Sequence, residues 1–198
     1  MWPILVCSIA ALAIAIERFF VLGRAEEELP NLLPVVTEAI RSRQLARVRE
    51  LSQSGRGPFA RMLRAALRRN GRPRQEILER IEEEGALELP SLERHLPILG
   101  SIAQLAPLLG LLGTVTGLVR CFQVIQEKAT TVHPVNPGDL AGGIWEALLT
   151  TVFGLLLAIP AYAVYHYLTY RLRHFANNLQ AAALELADLL SGDEAHAG

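Results

Sequence analysis

GGIWEALLTTVFGLLLAIPAYAVY, residues 142–165, decides the fold class. From Ala147 to Tyr165 the chain carries no charge, and a helix of that length, at about 1.5 Å per residue, matches the ~30 Å hydrocarbon layer of a bilayer. Two adjacent threonines, Thr150 and Thr151, lie inside the run, and Glu146 stands at its start. An ionised acid in hydrocarbon costs ~2.5 to 3.5 kcal/mol even on insertion scales, so intramembrane acids face a cavity, a partner or an ion path. The alternative for Glu146 is an interfacial position, reaching water or paired with Arg120.

Working outward, residues 2–16 and 97–119 are likewise free of Asp, Glu, Lys and Arg, in a chain of 198 residues that is 51% hydrophobic and still 20% charged. Segregation of this kind predicts an all-α membrane protein with three transmembrane helices. The expected organisation is a first span over 1–22, a cytoplasmic helical region over 23–96 and a second span over 97–120. A periplasmic loop over 121–139, a third span over 140–168 and a cytoplasmic helical extension with its tail over 169–198 follow. Orientation comes from charge: of 19 basic residues, 15 lie between Arg18 and Arg94, Arg171 and Arg173 follow the third span, and only Arg120 and Lys128 fall between spans two and three. The positive-inside rule therefore places the N-terminus in the periplasm and the C-terminus in the cytoplasm. No Lys or Arg precedes the first apolar core, and Glu17-Arg18-Phe19-Phe20 closes it, which suits an uncleaved anchor rather than a secretory signal.

The region between the first two spans reads as helices. Leu29, Leu32, Leu33, Val36 and Ile40 recur at helical spacing, and Leu45 and Val48 continue the stripe until SQSGRGP, residues 52–58, breaks it. Phe59 to Leu67 repeats the pattern and Asn70-Gly71 stops it. A further helix begins near Pro73 and is expected to run without a full break into span two. After Tyr165 the apolar period persists through Leu168, Leu172, Phe175, Leu179, Ala183, Leu186 and Leu190, so span three continues as a helix of about 75 Å from Leu140. Spans two and three are thus expected to extend into a cytoplasmic helical stalk.

Chemistry of the usual enzymatic kinds has no foothold. Cys7 and Cys121 give neither a disulfide framework nor metal spacing and read as small buried thiols, and the five histidines are scattered. No nucleophile elbow or phosphate loop is present. No cofactor and no nucleic-acid partner are expected, and an intramembrane enzyme is disfavoured because no nucleophile and base share an arrangement.

At about 100° per residue, Ala103, Ala106, Gly110, Thr114, Gly117 and Cys121 fall in one narrow sector of span two, while leucines and valines take most of the rest. Span three has a matching sector of Gly143, Ala147, Thr150, Thr151, Gly154 and Ala158, with Glu146 at its edge. Small faces of this kind allow close helix packing, with threonine bonding across the contact. That packing alone leaves Glu146 unexplained.

GSIAQLAPLLGLLGTVTGLVRCF and LAGGIWEALLTTVFGLLLAIPA resemble spans two and three of the MotA/TolQ/ExbB proton-channel family, and MWPILVCSIAALAIAIERFF resembles its first span. Three spans favour the ExbB/TolQ branch over the four-span MotA branch. The resemblance implies a pentameric ring in lipid, with an ExbD- or TolR-like single-span partner in its lumen and a TonB- or TolA-like protein beyond. It makes Thr114, Glu146 and Thr151, with Thr150 beside them, the proton pathway. It assigns Ala103, Ala106, Gly110, Gly117, Ala147, Gly154 and Ala158 to packing against the partner's helices. Protons would be the coupling ion, and the implied role is an ExbB-like inner-membrane subunit that energises TonB-dependent outer-membrane transport. A TolQ-like role in envelope integrity and division, and a passive membrane scaffold, are the alternatives.

Overall fold

A computed structural model of the chain describes residues 2–129 and 137–191. Six helices account for nearly all of them: α1 (Trp2–Arg41), α2 (Leu45–Ser54), α3 (Pro58–Leu67), α4 (Arg74–Glu93), α5 (Leu96–Ala129) and α6 (Pro137–Leu190). No strand occurs among the described residues. Three helical stretches, Trp2–Arg41, Arg74–Glu127 and Ala141–Leu190, are long and apolar enough to cross a bilayer. The chain divides into two compact units, one of residues 1–16 and 95–167, the other of residues 17–94 and 168–198.

The first unit is the membrane unit. Its large apolar side chains point outward: Leu5, Ile9, Leu12, Leu108, Leu112, Leu156 and Ile159 are all more than half exposed. Water would not tolerate so continuous an apolar surface, whereas hydrocarbon solvates it. Small residues fill the inside instead, with Ala11, Ala103, Ala106, Ala147, Ala158 and Ala161 buried. The Tyr165 ring lies on Gly100, where a methyl carbon would stand 3.0 Å from it.

The second unit has an ordinary hydrophobic core. Val36 of α1, Val48 of α2, Phe59 and Leu63 of α3, Ile77 and Ile81 of α4, and Leu168 and Leu186 of α6 are completely buried. Pro58 opens α3, where its missing N–H costs no bond. Gly57 before it leaves the space filled by the Glu28 carboxylate of α1, a negative group at the positive end of the α3 dipole. The end of α6 is fixed by the amide of Gly71, which donates to the Leu190 carbonyl at 3.1 Å, and by an ion pair between Arg74 and Asp188. Higher on α6, Arg171 forms a fork with Glu26 of α1 and stands 5.4 Å over the Phe19 ring, and Thr37 donates to Glu185 at 3.2 Å.

Three boundaries depart from the sequence reading. The apolar stripe from Leu29 to Val48 belongs to two helices, because Arg43 takes a left-handed conformation (φ 52°) and ends α1. The amides of Arg43 and Gln44 donate back to Ile40 and Ala39, each at 2.9 Å, the paired bonds of a Schellman stop with arginine where glycine is usual. The helix begun near Pro73 ends at Glu93, and α5 starts afresh at Leu96. Pro97 has no N–H to offer the Glu93 carbonyl and constrains Leu96 before it, so the turn at Arg94-His95 follows from that single residue. Finally, the loop expected from residue 121 is helical as far as Ala129, since Phe122 to Ala129 contains neither Gly nor Pro, and α6 begins at Pro137. Residues 130–136 of that expected loop lie outside the described residues.

Candidate functional site

Of the residues expected to handle protons, Thr150 and Thr151 sit where α5 and α6 come into backbone contact. A methyl carbon on Gly110 would lie 2.9 Å from the Thr151 Cα and 3.0 Å from the Thr150 carbonyl oxygen; on Gly154 it would lie 2.7 Å from the Ala106 carbonyl oxygen, and on Gly117 2.6 Å from the Ala147 Cβ. Such separations are closer than real Cβ contacts, so only glycine permits the approach. Gly113 takes part as well, because the Thr150 hydroxyl occupies the space its side chain would need. The sequence reading passed over Gly113, although its spacing from Gly110 and Gly117 puts it on the same side of α5.

Ala103, Ala106, Gly110, Ala147, Gly154 and Ala158 are buried and Gly117 is half-buried, with the described contacts of Gly110, Gly117 and Gly154 running between α5 and α6.

The three threonines are not equivalent. Thr150 Oγ1 lies 2.7 Å from the Ala147 carbonyl of its own helix and 3.2 Å from the Gly110 carbonyl across the contact, so its hydroxyl ties α6 to α5. Thr114 is half-buried and donates to Leu111 of its own helix at 2.7 Å. Thr151 differs from both, because its Oγ1 is buried and has no hydrogen-bond partner. Glu146 is exposed, and so is Arg120; neither makes an ion pair with the other. The interfacial pairing considered for Glu146 is absent. Cys121 rests against Gly143 at the same contact, and both cysteines are free thiols.

In chemical terms the site offers one exposed carboxyl, one buried hydroxyl with unused donor and acceptor capacity, and a second hydroxyl one helix away. A family model described as the MotA/TolQ/ExbB proton channel family matches residues 54–181, more than half of the chain, and includes Thr114, Glu146, Thr150 and Thr151. The chain belongs to the MotA/TolQ/ExbB family. Its similarity to the ExbB and TolQ branch is direct. It is 35% identical over 157 residues to biopolymer transport protein ExbB-like 3 of Synechocystis, covering 79% of this chain and 74% of that one. To biopolymer transport protein exbB1 of Vibrio cholerae it is 31% identical over 171 residues, 82% of this chain and 71% of that protein. The Tol-Pal system protein TolQ of Haemophilus influenzae is 40% identical over 85 residues, 42% of this chain and 35% of its own. Among the relatives matched along most of this chain, the share of their length covered runs from 55% to 74%. A MotA/TolQ/ExbB protein with three apolar helices is a multi-pass membrane protein, and the family is one of proton channels rather than of enzymes.

Proposed function

We propose that this chain is the ExbB-type subunit of a motor in the bacterial inner membrane, driven by the proton-motive force, that works with a single-span ExbD-like partner to energise TonB-dependent outer-membrane transport. The observation that most supports a coupling role is the Thr151 hydroxyl. A buried polar group left without a partner costs about 1 to 3 kcal/mol, and such groups persist where something else binds them during function. In this reading a proton, a water or the partner's carboxylate supplies what the isolated chain lacks. Glu146, five residues earlier on α6 and exposed, provides the entry carboxyl, and Thr114 provides a second hydroxyl on α5. Five copies surround the partner's helices, the N-terminus faces the periplasm and the C-terminus the cytoplasm. A proton crossing the membrane releases about 2.3 kcal/mol per 100 mV, enough to bias one arrangement of ring and partner over another.

A TolQ-type role is the second reading, favoured by the TolQ match over the shorter stretch. The two separate by the partner required: a TonB-like protein for transport, a TolA-like one for envelope integrity. The test is co-expression with a candidate single-span partner, mass measurement of the purified complex, and proton uptake by proteoliposomes under an imposed gradient. A stable complex whose uptake is lost in Glu146→Ala and Glu146→Gln without loss of assembly is expected. Normal uptake and transport in both variants would remove the carboxyl from the mechanism, and loss of assembly in Glu146→Gln would make it structural.

A further inference from the structure

Between Arg41 and Arg74 the sequence holds eleven arginines, no lysine and a single acid, Glu50. The structure shows which of these are already used. Arg61 pairs with Glu88, Arg69 with Glu76 and Arg74 with Asp188, and Arg64 donates to the Ser52 carbonyl at 2.7 Å. The side chains of Arg41, Arg43, Arg47, Arg49 and Arg56 around α2, and of Arg68 and Arg72 at the α3–α4 turn, are exposed and make no hydrogen bond or ion pair. One of them is held at a conformational cost. Arg43 occupies the left-handed stop of α1, a conformation unfavourable for a residue with a side chain, where glycine would sit without strain. Solubility alone does not require an arginine there.

We infer that the α2–α3 hairpin and its flanking turns form a docking surface for an acidic segment of a soluble protein, its carboxylates gripped by Arg41, Arg43 and Arg47. Guanidinium groups take a carboxylate through two parallel bonds, which a lysine surface of equal charge does not. Membrane lipid is the weaker candidate. Arg41 lies 23 residues along α1 from Arg18, about 35 Å at 1.5 Å per residue, several times the ~8 Å screening length of physiological salt. Nucleic acid is also weaker. Phe59, the sole aromatic between Arg41 and Arg74, is completely buried and offers no stacking platform. α4, packed on α3, presents exposed Glu76, Glu79, Glu82 and Glu83, which would repel a long polyanion but leave room for a short acidic segment. The inference rests on the proposed topology only for the partner's compartment, the cytoplasm; the binding measured below concerns the surface itself, and cysteine labelling reads the topology separately.

The test uses the full-length protein purified in an uncharged detergent and a fluorescent poly-glutamate peptide followed by anisotropy. Saturable binding that weakens as salt rises is expected, together with a loss of roughly tenfold in affinity or more when Arg41, Arg43 and Arg47 are all changed to glutamine. Arg43→Gly alone should weaken peptide binding while raising the thermal unfolding midpoint, an opposition that general damage to the fold cannot produce. Arg80→Gln, whose side chain is paired with Glu83 at 2.7 Å, should leave binding unchanged. The proposal is overturned by absence of binding at low salt, by an equal loss in Arg80→Gln, or by tighter binding of duplex DNA of matched charge or of anionic vesicles. A fall in complex mass in the triple glutamine variant would overturn it too, since the surface would then join copies of this chain.

Discussion

Thr150 and Thr151 are sequence neighbours with opposite bonding. The first spends its hydroxyl on the α5–α6 contact, and the second keeps a buried hydroxyl with nothing bound to it. Valine copies the shape of threonine without the hydroxyl, so the two positions should respond differently. Thr150→Val should lower stability by about 1 kcal/mol through the lost bond, whereas Thr151→Val should leave stability unchanged or slightly raised while proton uptake falls about tenfold or more. Thr169 supplies a matched control, since its Oγ1 is also buried and unpartnered but lies outside the membrane unit. Thr169→Val should therefore be silent in uptake. Thr114→Val combined with Thr151→Val should be the most severe, and serine at either position should restore more than valine. Full uptake by the double valine variant, read in proteoliposomes, would take both hydroxyls out of the pathway.

At the scale of elements, the α5–α6 contact depends on atoms that are missing. Gly110→Ala and Gly154→Ala each place a methyl group against backbone of the facing helix and should cost about 1 to 3 kcal/mol, read as a lower unfolding midpoint in detergent. Gly142→Ala, with open space around it, should change nothing. The sequence makes this contact legible, because small residues at helical spacing on both spans can only reflect a face, and the charge-free runs mark the spans themselves. Helix ends were harder to read where their causes are not local or not typical. Pro97 is visible, yet its effect on Glu93 competes with a continuous apolar period. Arg43 gives no sign at all, since nothing in the residue type announces a left-handed turn. Arg18, in the polar close of the first span, is buried, donating to the carbonyls of Ser91 and Leu92 at 3.1 and 3.3 Å and pairing with Glu17 at 2.6 Å. It satisfies the end of α4 from 73 residues away, a relation that no local pattern contains. Of the candidate site, the division of labour between Thr150 and Thr151 was not legible, because it depends on which carbonyl lies opposite.

For the molecule as a whole, orientation in the membrane is the prediction with the clearest outcome. In a background without Cys7 and Cys121, cysteine at exposed Ser54 should resist an impermeant thiol reagent in intact cells, and cysteine at exposed Gln126, near the end of α5, should react once the outer membrane is permeabilised. Reaction at Ser54 alone would invert the topology and with it the compartment of the acidic partner. Another consequence comes from how the second unit is assembled along the chain. It takes residues 17–94 and then waits for residues 168–198, with the α5 and α6 portions of the membrane unit synthesised in between. Until the residues of α6 from Leu168 onward have left the ribosome, Glu26 of α1 lacks Arg171 and Thr37 lacks Glu185. Maturation is thus ordered in time: the second unit can close only after translation has passed the membrane-unit portion of α6. A nascent chain arrested before Leu168 would be an inserted but unfinished protein, with Glu26 and Thr37 of α1 still lacking their α6 partners.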